Sequence, residues 1–173
     1  NIVTTGALNS GSITSGFGNI DNGSSTLDTG ALTATTITGV GDMTITGDTA
    51  TFQSANSTDP LLIVKNTTND ANGARMRFVK DKGAAGADND VAGVIEFVAD
   101  DDAQAQTTFA KITASIADTS NGAEGGKLAL GVATHDGEFQ NGLILTDGSA
   151  EDEIDVTIGN GSNSVTTAAG DLV

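Results

Sequence analysis

The middle of the chain alternates hydrophobic and polar residues with a period of two, the pattern of a strand that buries one face. Ile95 and Phe97 flank Glu96, and residues 110–116 alternate isoleucine and alanine with lysine, threonine and serine. The pattern predicts six strands: Leu61–Asn66, Ala74–Lys80, Val91–Ala99, Thr107–Asp118, Lys127–Ala133 and Gly142–Thr146. No segment shows the period of an amphipathic helix. The expected fold class is all-β, with an antiparallel β-sandwich or small-barrel module over residues 59–150.

Asn-Gly and Asp-Gly pairs punctuate these segments, and both favour tight hairpin turns. Asn-Gly occurs at 22–23, 72–73, 121–122, 141–142 and 160–161, and Asp-Gly occurs at 136–137 and 147–148. We therefore expect frequent reversals of the chain, as an antiparallel arrangement of short strands requires.

The first 58 residues follow a different pattern, in which a β-branched apolar residue between threonines is followed by glycine. Thr36–Gly39 is repeated eight residues later as Thr44–Gly47, and Thr-Gly-Ala-Leu occurs at Thr5–Leu8 and at Thr29–Leu32. Large apolar residues are too few here to outweigh the cost of ordering the segment, about 1–2 kcal/mol per residue. Either the segment is disordered or identical chains complete its core. Its internal repetition favours stacked β units, and residues 1–58 are predicted to form one chain's part of an elongated multi-chain β shaft.

The last segment returns to this style. Ile154, Val156 and Ile158 alternate with polar residues, and residues 159–167 are rich in Gly, Asn, Ser and Thr. Residues 151–173 are therefore predicted to return to the β shaft. Because the sequence starts at Asn1 rather than methionine and stops abruptly at Val173, we expect it to be a piece of a longer protein.

Charge restricts the partners of the chain. Its formal net charge is −16, and all seven basic residues lie between Lys65 and Lys127. Nucleic acids and anionic membranes attract positive surfaces, so neither is an expected partner. There is no cysteine, and no apolar run reaches the 18 residues of a membrane span. The sequence thus predicts neither a disulfide framework nor membrane insertion.

Residues suited to catalysis are sparse. His135 precedes Asp136-Gly137 and is interpreted as a turn residue, and no nucleophile elbow or phosphate-binding loop is present. Paired carboxylates could cleave a polysaccharide. The candidates are Glu96, Asp100, Asp101, Asp102, Glu124 and Glu138. Sugar-cleaving sites also use aromatic platforms, yet the chain has six Phe and no Tyr or Trp. The prediction is a protein without enzyme activity, and Asp100–Asp102 are interpreted as a solvated strand end.

Two other groups could bind ions. Asp88-Asn89-Asp90 resembles the start of a calcium-binding EF-hand loop with Gly93 in sixth position, but Ala99 occupies the position of the required glutamate. Arg75 and Arg77 could bind an acidic sugar or neutralise neighbouring carboxylates, and we favour the second interpretation. No metal or cofactor site is predicted.

Several phrases resemble a known family. Ile13–Ser25 is similar to a segment that recurs in tail fibre proteins of tailed bacteriophages, especially marine ones. Asn89–Phe97 with Asp100–Asp102, and Asp118–Leu128 followed by Leu143–Leu145, resemble the globular module of such fibres. The resemblance implies a rod-like homotrimer, with a β-helix-like or β-prism-like shaft, on the tail of an extracellular virion. Its implied role is attachment to a host surface, with other tail proteins and a host glycan or protein receptor as partners.

The resemblance transfers no receptor-contact residue. Such fibres commonly end in a self-cleaving chaperone domain that residues 1–173 lack, which implies an internal or processed piece. Three functions stay open: a tail fibre segment, a bacterial surface adhesin or surface-layer fragment, and a β-helical polysaccharide depolymerase.

Overall fold

The protein is described by a computed structural model that covers Leu32, Ala34, Thr36, Ile37 and residues 42–170. Five strands form: β1 (Val91–Asp100), β2 (Gln106–Asp118), β3 (Gly125–Ala133), β4 (Phe139–Asp147) and β5 (Ile154–Ile158). Each strand pairs antiparallel with the next, so the strand order in the sheet is the order in the chain. The all-β prediction is confirmed, and the described residues contain no helix.

Four of the six predicted strands correspond to β1 to β4. The other two, Leu61–Asn66 and Ala74–Lys80, are not strands in the structure, although their sequences favour the extended state. A strand needs a neighbouring backbone to bond with, and neither segment has a ladder partner among the described residues. Strand-forming sequence is therefore present there without a partner strand.

The turn predictions are partly correct. Gly122 and Gly137 have φ of 85° and 83°, and they lie in the β2–β3 and β3–β4 connections. In contrast, Asn141-Gly142 lies inside β4 and makes no turn. The register between β3 and β4 shifts between Leu130 and Gly131, and no β3 residue pairs with Gly142 there. This Asn-Gly pair therefore marks a β-bulge rather than a hairpin.

The sheet is a single open layer, in which β1 and β5 are the edges and no second sheet is formed by the described part of the chain. The chain on its own thus builds neither the predicted sandwich nor the predicted small barrel there. The four connections are short reversals, and each keeps a strand beside the preceding one instead of carrying it to a second layer.

The chain divides into two units, Asn1–Pro60 and Leu61–Val173. In the first unit, described residues 42–58 contain no strand, and most of the predicted N-terminal shaft lies outside the described residues. All five strands belong to the second unit. Residues 154–158, assigned by sequence to the returning shaft, form β5 and pair with β4, whereas described residues 159–170 contain no strand.

Where the structure describes the chain, it contains no helix long and apolar enough to cross a membrane.

Candidate functional site

Register pairing sorts the sheet into two chemically different faces, because directly paired residues share a face. One row across all five strands is entirely aliphatic: Ile95, Ile112, Leu130, Leu143 and Ile158. The parallel row on one side consists of Gly93, Ala114, Leu128, Leu145 and Val156. The row on the other side consists of Phe97, Ala110, Val132 and Gln140. We call these three rows the apolar face.

The apolar face is uncovered. Phe97, Val132, Val156 and Ile158 are 54%, 55%, 56% and 61% exposed, and even Ile95 is 41% exposed. Ala129, which belongs to the opposite face, is the only buried hydrophobic residue in the described part of the chain. Burial of apolar side chains is the main force that stabilises a fold, and the described part of the chain does not provide that burial for this face.

The opposite face carries the charges. Its rows include Glu96 paired with Lys111, and Lys127 between Ser115 and Thr146. The ring of Phe139 lies over Gly131, and Lys111 Nζ is 4.5 Å from the ring centroid. A cation over a ring face is attracted by the ring's electrons and still keeps contact with water. We call this the polar face, and its chemistry suits permanent exposure.

The segment before β1 extends the apolar surface. A side-chain carbon on Gly93 would lie 2.9 Å from Cβ of Phe78, so Phe78 rests on the space that Gly93 leaves. Met76 and Phe78, with Gly93, Ile95, Ile112 and Ala114, line an open depression of about 380 Å³. Met76 and Phe78 themselves stay 59% and 53% exposed.

The carboxylates considered for catalysis are dispersed. Glu96 lies on the polar face in mid-strand, Asp100–Asp102 lie at the β1–β2 turn, and Glu124 lies in the β2–β3 connection at the other end of the sheet. Asp101 has a structural role, since its Oδ1 accepts hydrogen bonds from the backbone N–H of Ala103 (2.8 Å) and Ala105 (2.9 Å). No group of three or more His, Asp or Glu that could hold a metal occurs among the described residues.

His135 lies in the β3–β4 turn, where Glu138 also lies. The turn is closed by backbone hydrogen bonds from Thr134 to Glu138 (2.7 Å) and from Gly137 to Thr134 (2.9 Å). The Thr134 hydroxyl donates to Asp136 Oδ1 at 2.7 Å, and this bond is the main reason that the pKa of Asp136 is lowered. The local chemistry is that of a turn held by an aspartate.

Asp88 and Asp90, considered as calcium ligands, bind protein donors instead. Asp88 Oδ1 accepts from the N–H and the hydroxyl of Thr119, both at 3.0 Å, and fastens this loop to the end of β2. Asp90 accepts from Lys82 Nζ at 2.6 Å and from the N–H of Ala87 at 2.9 Å. The Lys82 hydrogen bond, followed by that from Ala87, lowers the pKa of Asp90. A strand begins at Val91, so the second half of an EF-hand loop is absent.

We expect Asp88→Ala to loosen this junction without affecting the sheet. Loss of the hydrogen bond from the Thr119 N–H should speed exchange of this amide by about fivefold, since one hydrogen bond contributes about 1 kcal/mol. Amide exchange measured by NMR tests this. Asp81→Ala is the matched control, because among the described residues Asp81 accepts a hydrogen bond only from the N–H of Gly83, two residues away. Unchanged Thr119 exchange in Asp88→Ala would contradict the proposed fastening.

Arg75 and Arg77 precede β1 in a segment without strand pairing. Neither forms an ion pair with a described carboxylate, and the one ion pair found over the described ranges joins Lys82 to Asp90. The favoured interpretation, that the two arginines neutralise adjacent carboxylates, is therefore not borne out within this part of the chain.

Comparison with protein-family models, with curated proteins and with solved structures finds no match to this chain. Among the described residues, the surface best suited to an interaction is the uncovered apolar face. Sequence alternation identified most of its side chains but gave no sign that its own chain would leave them in water.

Proposed function

We propose that this chain is a structural segment of a homotrimeric bacteriophage tail fibre that acts in attachment to a host surface. The observation that carries the proposal is the apolar face, a charge-free aliphatic surface backed by a charged polar face. The resemblance of the sequence to phage tail fibre proteins supports the tail fibre assignment. The exposed apolar face supports assembly with other copies.

The size of the apolar face supports assembly with other copies. Five strands about 4.8 Å apart and about six residues long cover roughly 500 Å². Monomeric proteins rarely expose apolar patches beyond a few hundred Å². Two such faces together reach about 1,000 Å², near the lower bound for a specific interface. Burial at about 25 cal/mol per Å² gives about 12 kcal/mol per copy, comparable with the association cost of about 4–15 kcal/mol.

Three copies with their apolar faces toward a common axis would form a β-prism-like body. Its core would be built from Ile112, Leu130 and their row partners, and its outside would be the polar face. This arrangement replaces the single-chain sandwich or barrel: the second layer comes from the neighbouring chains. The polar face would then be the outer surface of the sheets, and the strong net negative charge of the chain would keep the assembly soluble.

A trimeric rod also fits the attachment role. Three identical weak sites on one rigid body raise the effective concentration of the second and third contacts, so total affinity exceeds that of one site. In this proposal the contribution of the segment to infection is mechanical and adhesive.

Immunogold electron microscopy tests this function. Antibodies raised against the fragment should label the tail fibres of the virions whose genome encodes it. Label on capsids, or on cells free of phage, would contradict the proposal, and label on cells would favour the bacterial adhesin instead. Release of reducing sugar ends from host capsule by the purified fragment would point to a depolymerase.

A further inference from the structure

The outer edge of β5 presents a row of backbone groups that the described part of the chain leaves without backbone partners. The N–H of Gly159 donates to the backbone carbonyl of Gly142 at 2.8 Å. The N–H of Gly148 donates to the backbone carbonyl of Glu153 at 3.2 Å. Bonded pairs alternate along an antiparallel ladder, so Asp155 and Thr157 point their backbone groups at β4. It follows that the backbone N–H and C=O groups of Ile154, Val156 and Ile158 point away from β4.

These three residues combine an open edge with apolar side chains. Ile154, Val156 and Ile158 are 67%, 56% and 61% exposed, and Val156 and Ile158 belong to the apolar face. A hydrophobic edge of this kind is a template for pairing with another strand. β5 contains no proline, and its one charged residue, Asp155, lies on the polar face, so the apolar side of this edge carries no charge.

A second segment, Leu61–Val64, also has exposed apolar side chains and unpaired backbone groups among the described residues. Leu61, Leu62, Ile63 and Val64 are 72%, 60%, 69% and 49% exposed, and they make no backbone hydrogen bond to another described residue. A continuous run of such residues is typical of a strand covered on both faces. The chain reverses just after it, where Asn66 Nδ2 donates to the carbonyl of Asn72 at 3.0 Å and Asn66 Oδ1 accepts from the N–H of Thr68 at 2.8 Å.

We propose that Leu61–Val64 of one copy adds to the outer edge of β5 in a neighbouring copy as a sixth strand. This inference rests on the proposed function, because it specifies how the copies of the assembly are joined. The added strand would satisfy the outward groups of Ile154, Val156 and Ile158 and would extend rows of the apolar face by one side chain each. No charge would be buried, since Leu61–Val64 carries none.

The geometry also determines the type of contact between copies. Each copy offers one donor segment and one acceptor edge, and these are different surfaces, so the contact is heterologous and runs head to tail. Such contacts end only when a ring closes, and in the proposed ring of three each β5 edge carries the donor segment of a neighbouring copy. The face contact and the edge contact then act in the same trimer.

Cross-linking in this cysteine-free chain tests the edge contact. Copies with Ile63→Cys are refolded together with copies carrying Val156→Cys and treated with a short bismaleimide, which tolerates a small offset in register. We expect a covalent dimer in the mixture and much less in either variant alone. Glu96→Cys replaces Val156→Cys in the control, because Glu96 lies on the polar face, and should give only background.

Light scattering on the same samples separates the two levels of the proposal. A trimer that gives no link between positions 63 and 156 would overturn the edge contact and leave the assembly intact. A particle of single-chain mass would overturn the proposed function as well. A link that forms only within one chain, in the double variant Ile63→Cys/Val156→Cys, would show that the segment folds back on its own sheet and would also overturn the proposal.

Discussion

Ile112→Asp is expected to dissociate the assembly into single chains. Ile112 lies in the all-aliphatic row, between Ile95 and Leu130, inside the apolar face. Burying an unpaired carboxylate there costs several kcal/mol per copy, and the threefold arrangement would place three such charges close together. The particle mass, measured by light scattering, should fall from about 52 kDa, three times the chain mass, to 17.2 kDa.

Thr113→Asp is the matched control for that variant. Thr113 is the next residue of β2 and lies on the polar face, so the variant adds the same charge and the same poor strand former on the opposite side. The trimer should persist in Thr113→Asp. Dissociation of both variants would trace the effect to charge or strand propensity, and dissociation of Thr113→Asp alone would mean that the interface is the polar face.

Gly131→Ala is expected to destabilise the sheet itself. A methyl group at this position would contact the Phe139 ring and would lie 2.6 Å from the carbonyl oxygen of Gln140. The ring could rotate away, but the carbonyl belongs to the backbone of β4 next to the bulge, so the two strands would have to separate. Overpacking of this type costs about 1–3 kcal/mol. Thermal unfolding at a fixed protein concentration should show the lower stability.

Gly126→Ala in the same strand serves as its control. Nothing lies within 4 Å of a side-chain carbon placed on Gly126, so the added methyl group meets open space. Alanine restricts the unfolded chain more than glycine does, so this variant should be neutral or slightly more stable. Equal losses in the two variants would mean that the contact of Gly131 with Phe139 and Gln140 does not matter.

Alternation along the chain was sufficient to predict four of the five strands, because side chains such as Ile95 and Phe97 reveal a one-sided strand wherever it pairs. The fifth, Ile154–Ile158, shows the same alternation and was assigned to the shaft. Its surroundings of Gly, Asn, Ser and Thr resemble the N-terminal repeats more than the central module. Local pattern therefore identified the strand, and only the pairing with β4 placed it in the sheet.

The alternation of hydrophobic and polar residues shows that a strand has an apolar face but does not show what packs against that face. The sequence implied a buried face and suggested that Leu61–Asn66 and Ala74–Lys80 complete a closed module, but the described chain forms one open layer. The sequence of neither segment specifies whether it pairs with a strand of its own chain or with a strand of another copy. The same limit applies to Asn141-Gly142, where the pair accommodates a bulge in β4 rather than a reversal.

The alternatives considered for the carboxylates show a related limit. Carboxylates are frequent in this acidic chain, and the sequence offered Asp88 and Asp90 as possible calcium ligands and Asp101 as a possible catalytic group. In the structure, each accepts hydrogen bonds from nearby backbone or side-chain donors and fixes a loop. A sequence shows which residues carry oxygen atoms but does not show which protein donors already use them.

The proposed assembly rests on apolar side chains that the described part of one chain leaves exposed and that neighbouring copies would bury. Sedimentation velocity on the purified chain tests this most directly. A single species near 52 kDa, persisting as the protein is diluted, is the predicted outcome, three chains of 17.2 kDa each. A well-folded β protein that sediments at 17.2 kDa at every concentration would contradict the account.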